Sequence, residues 1–305
     1  MKLATTTGDF ATYTDNQFDA LQYIHDAGFR CADYSFGMDY KNRTGVFAPD
    51  WLDYIDRLKA HADALGMTFV QSHAPMGMPY GMPLARKSML PQFIEDNKRC
   101  IEACALLGIP SVVVHSGYRR GLSREENIAE NKAFYLELLH FAEDFGVEVL
   151  TENFNKMSVE GVYWIDNAPD LLALLDAVDH PLFHVCWDIG HANMQDMPQD
   201  EALRLLGPHV RALHIQDNMG QQDTHTAPFF GSVSMDAVMH GLLDIGYKGA
   251  FTFEANGILS GPAVRRPFEK DDRLQRAPLG LRIEAEKFMY QIGRYVLDAY
   301  GLLEE

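Results

Sequence analysis

The sequence contains little that would indicate a disulfide-stabilised, membrane-spanning or nucleic-acid-binding protein. Only 4 of its 305 residues are cysteines, and no two of them form a CxxC pair. No apolar run approaches the ~20 residues that a bilayer-spanning helix needs. Basic residues are also scarce, because 26 Lys and Arg against 43 Asp and Glu give a formal net charge of −17. A surface this acidic repels polyphosphates, which argues against a nucleic-acid partner and leaves small neutral or metal-chelated substrates open.

We expect neither a targeting segment nor a linker in this chain. The first residues, MKLATTTGDFATYTD, lack the apolar core of a signal peptide. We therefore expect a cytoplasmic protein with no membrane partner, and a homo-oligomer is compatible with it. No Pro-, Gly- or Ser-rich linker divides the chain, so residues 1–305 are predicted to form one domain. The cysteines are predicted to be small buried residues in a reducing compartment; they are Cys31, Cys100, Cys104 and Cys186.

Short apolar segments alternate with longer amphipathic segments along the whole chain. The short segments are rich in β-branched residues, whereas the longer ones carry apolar residues at spacings of three and four. The predicted strands are Lys2–Thr6, Phe29–Ser35, Thr68–His73, Ser111–His115, Glu148–Glu152, Phe183–Asp188, Arg211–Ile215 and Ala250–Glu254. The predicted helices are Asp15–His25, Pro49–Leu65, Met89–Leu107, Arg124–Phe145, Ala168–Val178, Asp200–Leu206, Met235–Ile245 and Arg282–Tyr300.

This alternation predicts an α/β protein with a single (β/α)₈ TIM barrel. An open doubly wound sheet is the alternative, but it requires a glycine-rich phosphate turn after its first strand, and GDFATYTD is not one. Two predicted loops, 74–88 and 256–281, exceed normal loop length and are expected to cover the barrel mouth. The first is explained equally well as an apolar lid or as a self-packed surface loop; its candidate lid residues are Met76, Met78, Pro79, Tyr80, Met82 and Pro83.

Side chains that bind metals occur at the ends of six consecutive predicted strands. In a barrel these ends converge on one pocket. A lone histidine is more often a satisfied core residue than a ligand, but that explanation does not fit six equivalent positions. Clustered carboxylates repel one another without a cation, and carboxylate and imidazole ligands suit Mn²⁺, Mg²⁺, Co²⁺ or Zn²⁺. The six strand-end residues are His73, His115, Glu152, Asp188, His214 and Glu254. His191 comes three residues after Asp188.

The motifs HSG, TEN, WDIGH, HIQDN and FEANG, in this order, resemble the xylose isomerase-like TIM barrel superfamily. That group includes sugar phosphate isomerases and epimerases of the tagatose 3-epimerase type, hydroxypyruvate isomerase, inosose-processing enzymes and endonuclease IV. The resemblance extends over nearly the whole chain. It implies one divalent metal held by Glu152, Asp188, His214 and Glu254. It also implies that Glu152 and Glu254 act as a catalytic acid/base pair, and that His191 contacts the substrate.

The segment after His214 departs from the epimerase pattern. Epimerases have a substrate-binding arginine six residues further on, where this chain has Gly220. Instead, Asp223 and His225 form a D-x-H pair that resembles the endonuclease IV branch, and additional Zn²⁺ therefore stays open. We assign His73, His115, Asp223 and His225 to substrate binding in preference to extra metal. In the endonuclease IV branch, three zinc ions are held by residues that match His73, His115, Glu152, Asp188, His191, His214, Asp223, His225 and Glu254.

Three functions follow from these motifs, and the first is preferred. It is the metal-dependent isomerisation or epimerisation of a small carbohydrate, polyol or hydroxy-carbonyl compound, through a metal-stabilised ene-diolate with Glu152 and Glu254 as acid and base. The second is a multi-metal phosphoesterase resembling endonuclease IV, which the ligand types favour and the acidic charge opposes. The third is a metal-bearing, non-catalytic subunit of a complex, against which the intact carboxylate pair argues.

Overall fold

A computed structural model describes residues 1–76, 89–155, 165–259 and 277–304 of the chain. Its strands form a single parallel sheet in the order β7-β6-β5-β4-β3-β2-β1-β8. A parallel bridge between Ile215 and Phe253 links the two edge strands, so the sheet is a nearly closed barrel. The predicted (β/α)₈ barrel is confirmed. The strands are β1 (Leu3–Thr6), β2 (Cys31–Ser35), β3 (Thr68–His73), β4 (Ser111–Val113), β5 (Glu148–Glu152), β6 (Phe183–Asp188), β7 (Val210–His214) and β8 (Phe251–Phe253).

Helices connect the strands, and each predicted helix has a counterpart in the structure. Short 3₁₀ helices lie at Thr7–Phe10, Gly45–Phe47 and Gly207–His209. None of the described helices is long and apolar enough to cross a bilayer. The α-helices are α1 (Gln17–Asp26), α2 (Phe36–Asn42), α3 (Trp51–Leu65), α4 (Leu90–Leu107), α5 (Arg124–Ala142), α6 (Ala168–Val178), α7 (Ile189–Asn193), α8 (Gln199–Leu206), α9 (Met235–Asp244) and α10 (Leu279–Ala299).

Local hydrogen bonds explain several differences from the predicted boundaries. Helix α1 begins at Gln17 rather than at Asp15, because Asn16 stays extended and its side chain caps the helix by accepting from the Phe18 N–H at 3.0 Å. Helix α7 was not predicted from the sequence. It begins where the Asp188 side chain accepts from the His191 N–H at 2.7 Å, so a candidate metal ligand is also a helix cap.

Three predicted strands extend too far at their C-terminal ends. Strand β4 ends at Val113, β7 at His214 and β8 at Phe253. As a result, His115 and Glu254 follow their strands instead of belonging to them. The candidate lid residues and the second long loop lie mostly outside the described residues, which omit 77–88 and 260–276. Met78, Pro79, Tyr80, Met82 and Pro83 fall in the first of these gaps.

Two small apolar clusters lie inside the barrel. One consists of Val113, Leu150, Cys186 and Ala212, and the other of Ala4, Cys31 and Ala250. A larger apolar core lies between the strands and the surrounding helices. All four cysteines are buried and unpaired. Branched and small apolar side chains in the interior are typical of a TIM barrel.

A buried ion network joins the last helix to the first βα connection. The Arg282 guanidinium donates to Asp9 Oδ2 at 3.0 Å and to Glu286 Oε2 at 2.8 Å. It also donates to the Ile258 carbonyl at 2.9 Å, and Asp9 accepts from the Ala255 N–H at 3.2 Å. Burial raises the pKa of Asp9 well above its usual value, and Arg282 opposes that rise. The network therefore fixes the backbone immediately after β8.

We expect Arg282→Met to lower the free energy of unfolding by about 3–5 kcal/mol, because it leaves buried carboxylates without their cation. Urea denaturation measures the loss. The matched control is Lys287→Met on the same helix, whose ammonium forms a surface ion pair with Glu284 at 2.7 Å. Such pairs contribute about 0–1 kcal/mol. Equal losses in the two variants would show that the buried network has no special role in stability.

Candidate metal centre at the barrel mouth

Four side chains meet at the C-terminal mouth of the barrel. Glu152, Asp188, His214 and Glu254 each offer one ligand atom, and these atoms all lie within 4.8 Å of one another. Strand register brings them together, since Asp188 and His214 are direct partners on β6 and β7. The side chains of Glu152, Asp188 and His214 are 1%, 0% and 1% exposed, whereas that of Glu254 is 21% exposed. Glu254 is thus the member of this group most accessible to a small molecule.

Hydrogen bonds within this group of side chains do not satisfy all of its carboxylate oxygens. His214 Nδ1 lies 2.9 Å from Glu152 Oε1 and 3.4 Å from Glu254 Oε2. Within the described residues, Glu152 Oε2 and Asp188 Oδ2 are buried and accept no hydrogen bond of good geometry, although imidazole nitrogens lie 3.0 Å and 3.6 Å from them. A buried carboxylate oxygen without a partner is costly. A divalent cation would satisfy both oxygens, and three carboxylates with one imidazole suit Mn²⁺, Mg²⁺, Co²⁺ or Zn²⁺.

A second group of ligand atoms shares Glu152. His115 Nε2 lies 3.0 Å from Glu152 Oε2, and His73 Nε2 lies 3.4 Å from the same oxygen. The two imidazole nitrogens are themselves 3.0 Å apart. Because His73 ends β3 and His115 lies two residues after β4, neighbouring strand ends place both rings beside the same oxygen of the Glu152 carboxylate.

A third group shares Asp188 and includes His191 and His225. Asp223 links the two rings, because its Oδ2 lies 3.1 Å from His191 Nε2 and its Oδ1 lies 3.2 Å from His225 Nε2. The structure therefore brings all nine residues singled out in the sequence into three adjoining groups, with Glu152 and Asp188 as the shared members.

Burial and charge act in opposite directions on the pKa values of the third group. Burial alone would lower the pKa of His191, but Asp188 and Asp223 raise it well above the usual value. Burial likewise opposes protonation of His225, yet Asp223 raises its pKa to about 10. For Asp188, burial raises the pKa to about 6, although His191 opposes the rise. Imidazolium protons and a divalent cation would thus compete for the same carboxylates.

Cys186 lies among the same side chains, grouped with Glu152 and His214. Burial raises the pKa of its thiol to about 12, although His214 lowers it. A neutral thiol is a weak ligand, since metals bind the thiolate. Cys186 is buried and unpaired, as predicted from the sequence, and its environment does not favour a role as a ligand.

Amide side chains that support the centre were not identified from the sequence. Asn153 forms two hydrogen bonds of 2.8 Å with the backbone N–H and C=O of Asp188. The Gln216 amide donates to Asp188 Oδ1 at 3.2 Å and to Asp223 Oδ1 at 3.0 Å. Gly190 accommodates this amide, because a Cβ atom there would lie 2.1 Å from Gln216 Cδ. The TEN, WDIGH and HIQDN motifs contain these residues, but attention to charged side chains alone passes over them.

The chain matches a known protein family and several known proteins in sequence. Residues 21–271 match the sequence profile of the family described as xylose isomerase-like TIM barrel. Fructoselysine 3-epimerase of Shigella flexneri is 28% identical over 219 residues, which are 70% of this chain and 77% of that protein. An uncharacterized protein of Methanocaldococcus jannaschii is 30% identical over 171 residues, which are 54% of this chain and 57% of that protein. The family resemblance drawn from the motifs is confirmed.

Solved structures show the same barrel. The D-psicose 3-epimerase of Clostridium cellulolyticum H10, determined with D-tagatose, has a TM-score of 0.74 at 17% identity over 97% of this chain and 99% of that chain. A D-tagatose 3-epimerase-like protein has a TM-score of 0.74 at 21% identity, covering 98% of both chains. A family 2 AP endonuclease of Brucella melitensis has a TM-score of 0.68 at 18% identity, covering 84% of this chain and 93% of that one. These identities show a shared fold and no more.

We expect Mn²⁺ to stabilise the protein after chelator treatment, by about 2.7 kcal/mol at a concentration 100 times its dissociation constant. Thermal unfolding with and without Mn²⁺ measures this effect. Glu152→Gln should remove it, because Glu152 belongs to both the first and the second group. The control is Glu148→Gln at the other end of β5, which should respond like the wild type. A full response in Glu152→Gln would contradict the assignment of the metal to this centre.

Proposed function

Because this chain belongs to the xylose isomerase-like TIM barrel family, we propose that it is a divalent-metal-dependent epimerase or isomerase of a small sugar or a related hydroxy-carbonyl compound. The observation that carries the proposal is the convergence of two carboxylates, Glu152 and Glu254, on one candidate cation site together with Asp188 and His214. The fructoselysine 3-epimerase of Shigella flexneri supports the reaction class.

The cation would be held by Glu152, Asp188, His214 and Glu254. When bound there, it supplies Lewis acidity to a carbonyl group and to the hydroxyl beside it. The four protein ligands donate only oxygen and nitrogen atoms, which suits a metal that exchanges oxygen ligands with a sugar. Such a site favours a substrate with a carbonyl next to a carbon that bears both hydrogen and hydroxyl, as in a ketose.

Proton transfer is assigned to the two glutamates. They come from β5 and β8, three strands apart around the barrel. One carboxylate removes the proton of the C–H bond beside the carbonyl. The other, which starts protonated, gives its proton to the opposite face of the same carbon in an epimerisation. In an isomerisation the proton goes to the former carbonyl carbon, and the hydroxyl proton passes to the former carbonyl oxygen. His214 Nδ1 lies 2.9 Å from an oxygen of Glu152 and 3.4 Å from an oxygen of Glu254, so the ring lies beside both carboxylates.

Side-chain exposure separates the remaining residues into those that a substrate reaches and those behind them. Asp223, His225 and His73 are 19%, 16% and 12% exposed among the described residues. His115 and His191 are 6% and 3% exposed. We therefore assign the first three to direct hydrogen bonding with substrate hydroxyls. His191 is less exposed than Asp223 and contacts it at 3.1 Å. It would therefore contact the substrate only after Asp223 moves, or would act on the substrate by orienting Asp223.

Glu254→Gln tests the proton-transfer role. We expect kcat to fall by about 10²–10⁴-fold, because the amide cannot exchange the proton. The assay follows deuterium incorporation from D₂O into ketoses and ketosamines that the wild type turns over, and metal content is measured in parallel. Glu284→Gln on the surface of α10 is the control. Wild-type turnover by a metal-loaded Glu254→Gln enzyme would remove Glu254 from the mechanism.

A phosphoesterase is the second candidate, and a specific observation favours it. The three groups of ligand atoms adjoin one another through Glu152 and Asp188, an arrangement able to hold more than one cation. Clustered cations activate water and neutralise a phosphate. The net charge of −17 opposes a long polyanionic substrate and directs this alternative toward small phosphoesters.

Metal stoichiometry distinguishes the two candidates. For the epimerase we expect one Mn, Mg or Co per chain, measured by elemental analysis of protein purified without chelator. His115→Gln and His225→Gln should then keep the wild-type metal content, since neither residue belongs to the four-ligand group. Two or three Zn per chain, reduced in both variants and accompanied by hydrolysis of a nitrophenyl phosphodiester, would reverse our ranking.

A further inference from the structure

A polar layer crosses the barrel interior next to the candidate metal centre. It consists of Asp33 on β2, Gln71 on β3 and Thr252 on β8, all of which are buried. Branched apolar residues normally fill this space in a TIM barrel. A carboxylate in an apolar interior costs several kcal/mol unless charge and hydrogen bonds compensate it. Packing alone therefore does not account for Asp33.

Hydrogen bonds fix the Asp33 carboxylate in one orientation. The Gln71 amide donates to Asp33 Oδ2 at 2.9 Å and to the Leu213 carbonyl at 3.3 Å. The Thr252 hydroxyl donates to Gln71 Oε1 at 3.0 Å. Because the Leu213 carbonyl can only accept, the amide NH₂ of Gln71 must face it and Asp33, and the amide oxygen accepts from Thr252. A chain of contacts thus runs from β8 through β3 to β2.

His214 lies between this layer and the metal centre. Its Nδ1 atom faces Glu152 Oε1 at 2.9 Å and Glu254 Oε2 at 3.4 Å. Its Nε2 atom lies 3.5 Å from Asp33 Oδ2, the distance of an ion pair. Among the described residues, neither His214 Nε2 nor Asp33 Oδ1 has a hydrogen bond. The two ring nitrogens therefore face two different sets of carboxylates.

We propose that Asp33 is a positioning residue of the metal centre, which holds the His214 ring so that Nδ1 faces the cation and Nε2 carries the proton. A carboxylate behind a metal-binding histidine fixes its tautomer and raises its basicity. Cys186 also neighbours the ring, but its neutral thiol is a weak hydrogen-bonding group and does not replace a carboxylate. The inference rests on the proposed function of His214 as a ligand, and it does not depend on which substrate is turned over.

Calorimetric titration of metal-free protein with Mn²⁺ tests the role of Asp33 without an activity assay. Asp33→Asn keeps the size of the side chain and removes its charge, and we expect the affinity to fall about 10–100-fold. The matched control is Asp39→Asn, the same change at another buried aspartate that bonds to Tyr34 at 2.6 Å. It should stay within about 3-fold of the wild type. Equal affinities in Asp33→Asn and the wild type would overturn the proposal.

A measurement on the wild-type chain covers the case in which Asp33→Asn does not fold. In ¹⁵N-histidine-labelled, Zn²⁺-loaded protein, we expect the His214 Nε2 to be protonated and its Nδ1 to be metal-bound, with His214→Gln providing the assignment. The opposite tautomer would contradict the proposal. If His214→Gln binds Mn²⁺ as tightly as the wild type, the assignment of His214 as a metal ligand is wrong. Tight binding through His214 without epimerase activity would reject only the proposed reaction.

Discussion

Mutual repulsion among buried carboxylates is the constraint on which this structure depends. Glu152 and Asp188 are fully buried at the barrel mouth, and each retains an oxygen without a hydrogen bond among the described residues. Two buried carboxylates this close to each other need positive charge nearby to offset their repulsion. Histidines meet part of this need: burial alone would lower the pKa of His191, but Asp188 and Asp223 raise it well above normal. A divalent cation would meet it more completely, because it binds several carboxylate oxygens at once.

Polar networks support this centre from two sides. On one side, Arg282 and Asp9 hold the backbone just beyond Glu254, at the point where β8 leaves the barrel. On the other, Asp33 and Gln71 lie behind the His214 ring inside the barrel. Both networks place charge where apolar packing would be cheaper. Stability of the core alone does not explain these buried charges. Support of the metal centre does explain them.

The same set of ligands permits more than one chemistry. A single cation between Glu152 and Glu254 suits proton transfer beside a carbonyl, whereas additional cations near His115 and His225 would suit phosphate hydrolysis. The fold does not decide between them, because one fold can host unrelated chemistries. The sequence relationship to a sugar 3-epimerase and the acidic surface favour proton transfer on a small carbohydrate.

The sequence by itself determined the barrel and the residues around its mouth. Its alternating periodicities define eight strand–helix units, and the barrel rule places strand-end residues such as Glu152 and His214 in one pocket. Only the tertiary structure revealed Asp33, Gln71 and Arg282. Each is a polar residue within a strand or helix, and periodicity does not identify its partner on a distant element. The strand ends were likewise decided by pairing between neighbours, because a β ladder is a long-range interaction that local sequence does not encode.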